Sequence, residues 1–349
     1  MSLQELGISH KKIEKLEVIY FNFRGEIKDI PPKIEDFYKN YEDFIIKPAI
    51  AVIDYGVYSE GGKDIDICFQ LKDQKKKNHL KTKYLKAIEV LSLTHKGSFD
   101  SINEAFQKIT TFLQEHLVLG TSWLRIIYHK YNEINPKENQ IEIQYQLHKW
   151  DDRLEKSLDR VLGKKISNEI MQERDTLFTI ESSSDSRIHW LKNTLNRIDN
   201  ITNDDEKYDI LSSCAHDFSQ KRIEDMRCIY EKNRDIDEVI KEMNKDYAWY
   251  EKPKREGNII YVTKIPINPE GYEKAETIEE KKKNYCHCRF INNNLDKGIS
   301  SSFCYCGTGW YRQQWEGILK KSVRIKILKS LLKGDDLCQV AIHLPLNLK

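Results

Sequence analysis

Two stretches with the same alternating pattern decide the fold of the first half of this chain: Asp64-Ile65-Asp66-Ile67-Cys68-Phe69-Gln70-Leu71 and Gln140-Ile141-Glu142-Ile143-Gln144-Tyr145-Gln146-Leu147. Successive side chains of a β-strand point to opposite faces of its sheet. Each stretch is therefore expected to place its isoleucines on one face. Asp66 and Glu142 are expected on the other face, at corresponding positions of the two strands.

The segments before these strands repeat as well. Residues 17–25 and 89–97 both read as a strand that ends in a basic residue and a glycine. An apolar stripe at helical spacing follows in each copy, over residues 30–44 and 102–113. Short strands are expected at 49–54 and 123–129. Two strand–helix–strand–strand units in tandem predict a pseudo-twofold α+β fold.

These features resemble the GyrI-like, or AraC effector-binding, small-molecule-binding domains over about residues 13–150. The second copy matches better, through His95-Lys96-Gly97-Ser98-Phe99 and the strand that contains Glu142. The resemblance implies a cleft enclosed by the two units, lined by aromatic residues, with an acidic residue for cationic or amphipathic ligands. By position it implies Glu142 as that acid and Asp66 as its pseudo-symmetric counterpart.

Elementary electrostatics also favours a binding role for Glu142. A carboxylate among aromatic rings keeps its charge only when it is paired, and an organic cation would both neutralise it and stack on the rings. The candidate rings are those of Tyr55, Tyr58, Trp123, Tyr128 and Tyr145. The alternative is a solvated sheet face, which stays open because alternation alone does not distinguish a cleft from a wet surface.

The second half of the chain is expected to form a separate domain. Apolar residues at helical spacing continue after residue 150, and the polar run Ser182-Ser183-Ser184-Asp185-Ser186 indicates a boundary. The expected organisation is a GyrI-like domain over 1–150, a helical connector over 151–182 and a cysteine-rich α+β domain over 183–349. Helices are expected first in that last domain, and antiparallel strands after them.

Two Cys-x-Cys pairs are the chemical signature of the second half. Cys286, Cys288, Cys304 and Cys306 supply four thiols on two short segments, which predicts a tetrahedral zinc site. The usual chelating spacing is Cys-x₂₋₄-Cys, so two alternatives stay open. Cys304 or Cys306 could act as a reactive thiol near a helix start, which Thr308 is expected to cap. All four could also pack as small buried groups.

The segment around these cysteines resembles the L-2-amino-thiazoline-4-carboxylate hydrolase-like group and the 4-vinyl reductase-type ligand domains, over about residues 187–345. The matching positions are Cys304, Cys306, Glu316 and Cys338. These groups include a hydrolase, sensors and proteins of unassigned role. The resemblance therefore implies no particular activity.

The charge balance excludes several classes of partner. The 57 basic and 55 acidic residues give a net charge of +2, which provides no electrostatic attraction to nucleic acid or to an anionic membrane. No apolar run approaches the ~18 residues that span a bilayer, and residues 1–7 do not resemble a signal peptide. We expect a cytoplasmic protein whose partner is a small organic ligand, and which could form a homo-oligomer.

The sequence therefore predicts a small-molecule binding or sensing protein with a cysteine-rich, zinc-binding second module. The alternative function is that of a small-molecule hydrolase, with Glu142 as general base or with Cys304 or Cys306 as nucleophile. A purely structural interaction protein is the third possibility.

Overall fold

The computed structural model describes residues 2–54, 63–72, 81–132 and 134–346. The chain divides into two compact units, Met1–His148 and Lys149–Lys349. The separate connector over 151–182 stays a prediction. None of the helices in the described ranges combines the length and the apolar character that crossing a lipid bilayer requires.

The N-terminal unit is a single antiparallel sheet with helices. Its helices are α1 (Leu3–Leu6), α2 (Ile30–Tyr41) and α3 (Ile102–Glu115). Its strands are β1 (Ser9–Ile13), β2 (Leu16–Gly25), β3 (Ile45–Asp54), β4 (Lys63–Leu71), β5 (Thr82–Leu85), β6 (Ile88–Lys96), β7 (Gly120–Lys130) and β8 (Gln140–Leu147). The α+β class and the two strand–helix–strand–strand repeats are confirmed.

The order of the strands reveals the pseudo-twofold relation of the repeats. The sheet runs β1-β6-β8-β7-β3-β4-β2-β5, so β7 and β3 pair at its centre and each repeat occupies one half. The two edge strands exchange between the repeats, since β1 pairs with β6 and β5 pairs with β2. These edge strands were missing from the expectation because they are short, and five of their nine residues are exposed.

The two faces of this sheet carry different chemistry. The face that bears Phe21 and Phe69, here called the helix face, is covered by α2, whose Phe37 ring lies 4.8 Å from Phe21 and 5.3 Å from Phe69 between centroids. Helix α3 packs against β6 and β8 in the second repeat. The opposite face carries Asp66 and Glu142 and is called the acid face.

The helix starts follow from local sequence, with one correction. Pro31 and Pro32 occupy the first turn of α2, where a proline costs no hydrogen bond. The spacing of Ser101 and Glu104 predicts a capping box at the start of α3, and this prediction is wrong. Ser101 makes no side-chain cap, and its hydroxyl donates instead to the Ser98 carbonyl at 3.0 Å.

The C-terminal unit packs helices around a smaller sheet. Its helices are α4 (Trp150–Leu162), α5 (Lys164–Ile170), α6 (Arg174–Leu177), α7 (Ser184–Ile201), α8 (Asp204–Ser212), α9 (Gln220–Asn233), α10 (Ile236–Met243), α11 (Tyr247–Tyr250), α12 (Pro269–Lys274), α13 (Ile278–Tyr285) and α14 (Cys304–Leu319). Its strands are β9 (Lys254–Glu256), β10 (Ile259–Thr263), β11 (Arg324–Lys329) and β12 (Gln339–His343), paired antiparallel in the order β11-β12-β10-β9.

One apolar cluster of this unit joins α14 to the small sheet. Buried Tyr311, Trp315 and Ile318 of α14 belong to the same apolar cluster as Ile260 and Ile342 of the strands. Helices precede the sheet, as expected from sequence, but α12, α13 and α14 lie between β10 and β11.

Candidate functional site

A cavity of about 310 Å³ lies on the helix face of the N-terminal sheet, between α2 and the central strands. Its aromatic lining comes from Tyr38, Phe69, Tyr128 and Tyr131. The remaining lining residues are Pro31, Ile34, Glu35, Lys39, Lys47, Ala49, His129 and Lys130. We call this cavity the helix-face cleft.

The secondary structure explains why these side chains converge. Ile34 and Tyr38 are four residues apart on α2 and therefore lie on one side of the helix. The β7–β8 pairing shifts its register between Tyr128 and Lys130, which leaves His129 at an irregularity of β7 beside the cleft. Such irregularities re-aim side chains next to binding sites.

The charges that line the cleft are mostly positive. The Lys47 ammonium lies 3.9 Å above the centre of the Tyr38 ring. Lys130 forms an ion pair with Glu138 at 2.5 Å, so its charge is compensated. Within the described residues, neither Glu35 nor Lys39 forms an ion pair. The cleft is therefore lined by the ammonium groups of Lys39 and Lys47 and by one carboxylate, that of Glu35, none of which has an ion-pair partner among the described residues.

Glu142 lies on the acid face and is only 6% exposed. Its Oε1 atom accepts hydrogen bonds from Lys11 at 2.9 Å, Ser92 at 2.6 Å and Gln144 at 2.9 Å, and its Oε2 lies 2.8 Å from His129 Nε2. Burial raises the pKa of this carboxyl, but these four hydrogen bonds outweigh burial and lower the pKa to about 2. Glu142 is thus a charged side chain whose carboxylate has four hydrogen-bond partners within the chain.

Asp66 occupies the equivalent place in the first repeat. It forms an ion pair with Lys83 and accepts a hydrogen bond from Asn22 at 2.8 Å. The Lys83 ammonium also lies 4.5 Å above the Tyr20 ring. A carboxylate, a cation and an aromatic ring therefore meet at this position, but the cation belongs to the chain itself.

The sequence did not identify Lys11 and Lys83 as the partners of the two acids, although the repeats contain a signal for them. Lys11 precedes Val18 by seven residues and Lys83 precedes Val90 by the same interval, and these valines are equivalent in the two repeats. In the sheet Lys11 pairs with Val90, and Lys83 pairs with Val18. Each edge strand thus delivers its lysine to the acid of the other repeat.

The structure separates the expected site residues between the two faces. Glu142, Asp66 and Trp123 belong to the acid face, and Trp123 is 42% exposed. Tyr128 lies on the helix face and lines the cleft, and Tyr145 shares that face. Tyr55 and Tyr58 lie outside the described residues. Glu142 thus lies on the opposite face of the sheet from Tyr128 and Tyr145, and the ligand-binding role of these residues stays a prediction.

The four cysteines of the expected zinc site lie in different local structures. Cys286 follows α13 in extended backbone, whereas Cys304 and Cys306 lie in the first turn of α14. Residues two apart on a helix point in different directions, so Cys304 and Cys306 do not form a strand-like chelating pair. Thr308 lies inside α14 and donates to the Tyr305 carbonyl at 2.7 Å, so its expected capping role is wrong.

Neither the metal prediction nor the thiol prediction gains support from this geometry. The described residues include all eight cysteines, yet hold no group of three or more His, Cys, Asp or Glu side chains arranged for a metal ion. Zinc binding stays a prediction from sequence. Burial raises the pKa of Cys304 to about 12 and that of Cys306 to about 11, which keeps both thiols protonated near neutral pH.

Comparisons with known proteins add partial structural likenesses. No protein-family model and no curated protein matches this chain. The C-terminal domain of EcmrR is 23% identical, with a TM-score of 0.33, over 40% of this chain and 96% of that domain. SAV2435 bound to tetraphenylphosphonium is 8% identical, with a TM-score of 0.31, over 42% and 96% of the two chains. A hydrolase from Listeria innocua is 10% identical, with a TM-score of 0.28, over 40% and 91%. The GyrI-like resemblance stays a prediction.

Proposed function

We propose that the N-terminal unit binds a small aromatic, amphipathic molecule in the helix-face cleft. The observation that carries this proposal is the cavity of about 310 Å³ with four aromatic side chains in its lining. Pockets for small molecules begin at about 300 Å³ and are lined mainly by apolar and aromatic groups with a few polar ones. The cleft meets both conditions.

The charges of the lining favour a ligand that carries an acidic group. Lys39 and Lys47 present two ammonium groups, and Glu35 presents one carboxylate. The Lys47 ammonium already lies over Tyr38, so a ligand cation would have to replace it on that ring. The expectation of a cationic ligand was based on Glu142, which lies on the other face and has its own counter-ion. An aromatic acid fits this cleft better.

Two probe ions of the same shape and opposite charge test the proposal. Tetraphenylborate and tetraphenylphosphonium both present four phenyl rings, and the second is the ligand of the SAV2435 structure. We expect calorimetric titration of the full chain to show tighter binding of tetraphenylborate. Replacing Lys47 by Met should narrow the difference between the two ions, because it removes one ammonium from the lining.

The variant Tyr38→Ala has a matched control in the same unit. Tyr84 also carries a lysine over its ring, with the Lys15 ammonium at 4.0 Å, but it does not line the cleft. We expect Tyr38→Ala to weaken tetraphenylborate binding about threefold to tenfold, which is the range for loss of one aromatic contact. Tyr84→Ala should leave binding unchanged. Equal effects of the two variants, or no binding of either probe, would contradict ligand binding in the helix-face cleft.

A second candidate is a cationic ligand on the acid face. Lys83, held by the carboxylate of Asp66 and the ring of Tyr20, has the surroundings that an organic cation requires. A ligand cation at Glu142 would displace Lys11, whose side chain is 42% exposed. If tetraphenylphosphonium binds at Glu142, Lys11→Met should strengthen its binding, because the competing lysine is gone, and Glu142→Gln should abolish its binding. If neither change alters that affinity, this candidate is excluded.

A further inference from the structure

The C-terminal unit contains a cluster of polar side chains near the buried Tyr311 of α14. Glu251, Lys264, Tyr285, Tyr311 and Cys338 come from five separate places in the chain. The Tyr285 hydroxyl donates to the Lys264 carbonyl at 2.5 Å and accepts from the Cys338 amide at 3.2 Å. The Lys264 amide in turn donates to the Cys338 carbonyl at 2.9 Å. These bonds fix the backbone that carries Lys264.

Glu251 is a buried acid held in an unusual backbone conformation. Its φ is 54° and that of Lys252 is 50°, so two successive non-glycine residues occupy the left-handed region. Strained residues of this kind persist where the surrounding structure enforces them, often at ligand sites. Glu251 is only 8% exposed, and its carboxylate accepts a hydrogen bond from the hydroxyl of buried Tyr311.

The ammonium of Lys264 lies near the same tyrosine as this acid but forms no ion pair with it. Its ammonium lies 5.5 Å from the centre of the Tyr311 ring, whose hydroxyl reaches Glu251. Within the described ranges, Lys264 makes no ion pair, and Glu251 accepts no hydrogen bond except that from Tyr311. The two opposite charges therefore lie near the same tyrosine, the ammonium by its ring and the carboxylate at its hydroxyl, and each can still form further hydrogen bonds.

We propose that this cluster is a second small-molecule site, which takes a compact carboxylate with a hydroxyl or amino group beside it. The Lys264 ammonium binds the carboxylate of the ligand, and the Glu251 carboxylate accepts the hydrogen bond of the neighbouring group. Charge-assisted hydrogen bonds of this kind are the strong ones. Because both charges lie near the same tyrosine, we expect a ligand with only a few carbon atoms between the two recognised groups.

Four small probes test this two-point recognition in the full chain. L-Alanine and L-lactate carry both groups, acetate lacks the donor, and ethylamine lacks the carboxylate. We expect calorimetry to detect alanine and lactate, and to find acetate and ethylamine at least about tenfold weaker, as loss of one charge-assisted hydrogen bond implies.

Three variants test whether the probes bind at this cluster and control for a general loss of charge or of folding. Lys264→Met should weaken the binding of alanine at least about tenfold, while Lys326→Met, on strand β11 of the same sheet, should leave it unchanged. Glu251→Gln should remove the advantage of alanine over acetate. Because Glu251 is buried, that variant counts only if it keeps the wild-type circular dichroism; otherwise Lys264→Met decides.

The proposal is overturned if neither alanine nor lactate binds the wild-type chain, or if Lys264→Met binds them as well as Lys326→Met does. Tetraphenylborate binding in the N-terminal unit is measured on the same variants. It should not respond to Lys264→Met, so a failure of this site is distinguishable from a failure of the helix-face cleft.

Discussion

Replacement of Glu142 by Gln should destabilise the N-terminal unit in a pH-dependent way. The four hydrogen bonds to Glu142 lower its pKa from 4.5 to about 2 in the folded chain. Each pKa unit is worth about 1.4 kcal/mol, so the charged form gains about 3 kcal/mol on folding. Lys11 and His129 are 42% and 41% exposed, and solvent screens their share. We therefore expect about 2 kcal/mol.

The sign of the pH dependence follows from the direction of that pKa change. Because the folded pKa is the lower one, the stabilisation is complete above the unfolded value of 4.5 and is lost as the pH falls towards about 2. Wild type and Glu142→Gln should therefore differ by about 2 kcal/mol at pH 7 and converge near pH 2.

Urea-dependent hydrogen exchange, read by mass spectrometry on peptides that cover β8, measures this free energy within the full chain. Asp66→Asn is the control, since its ion pair with Lys83 is about a quarter exposed and should contribute about 1 kcal/mol or less. A difference below about 0.5 kcal/mol at pH 7 for Glu142→Gln, or one that persists at pH 2, would refute the reasoning.

Three further predictions concern the C-terminal unit. Gly309→Ala should destabilise this unit by more than about 3 kcal/mol in urea unfolding, because the added Cβ would lie 1.9 Å from the Ser212 carbonyl oxygen. The control Gly307→Ala adds a Cβ with no atom within 4 Å, so it should be neutral or slightly stabilising. Alkylation at pH 7.5 followed by mass spectrometry should modify exposed Cys228 before Cys304, whose raised pKa of about 12 keeps it protonated; the reverse order would show a reactive thiol at α14. Zinc binding by the two Cys-x-Cys pairs predicts about one zinc per chain in elemental analysis of the reduced protein, and a result without stoichiometric zinc would contradict that metal site.

The sequence by itself determined the repeats and the face on which each strand residue lies. Alternation along 64–71 and 140–147 is a local property with a period of two, and it placed Asp66 and Glu142 opposite the isoleucines without knowledge of any neighbour. The apolar stripes also located α2 and α3, because helical spacing is a local pattern that can be recognised within one short segment.

The partners of those residues were decided only by the tertiary structure. Lys11 reaches Glu142 across 131 positions of sequence, and no local period encodes such a contact. It depends on which strands become neighbours, and here the edge strand β1 joins β6 of the other repeat. That exchange supplies Glu142 with an internal cation, and so moves the proposed ligand to the opposite face of the sheet.

The same distinction explains the cysteines and the cluster around Glu251. Spacing suggested a four-thiol site, but the choice of helix over strand at Cys304 depends on how α14 packs against the small sheet. Glu251 and Lys264 carry no motif in the sequence. They become a candidate site only because packing brings both to the ring of Tyr311, since long-range burial, not local spacing, decides which charges lie close together.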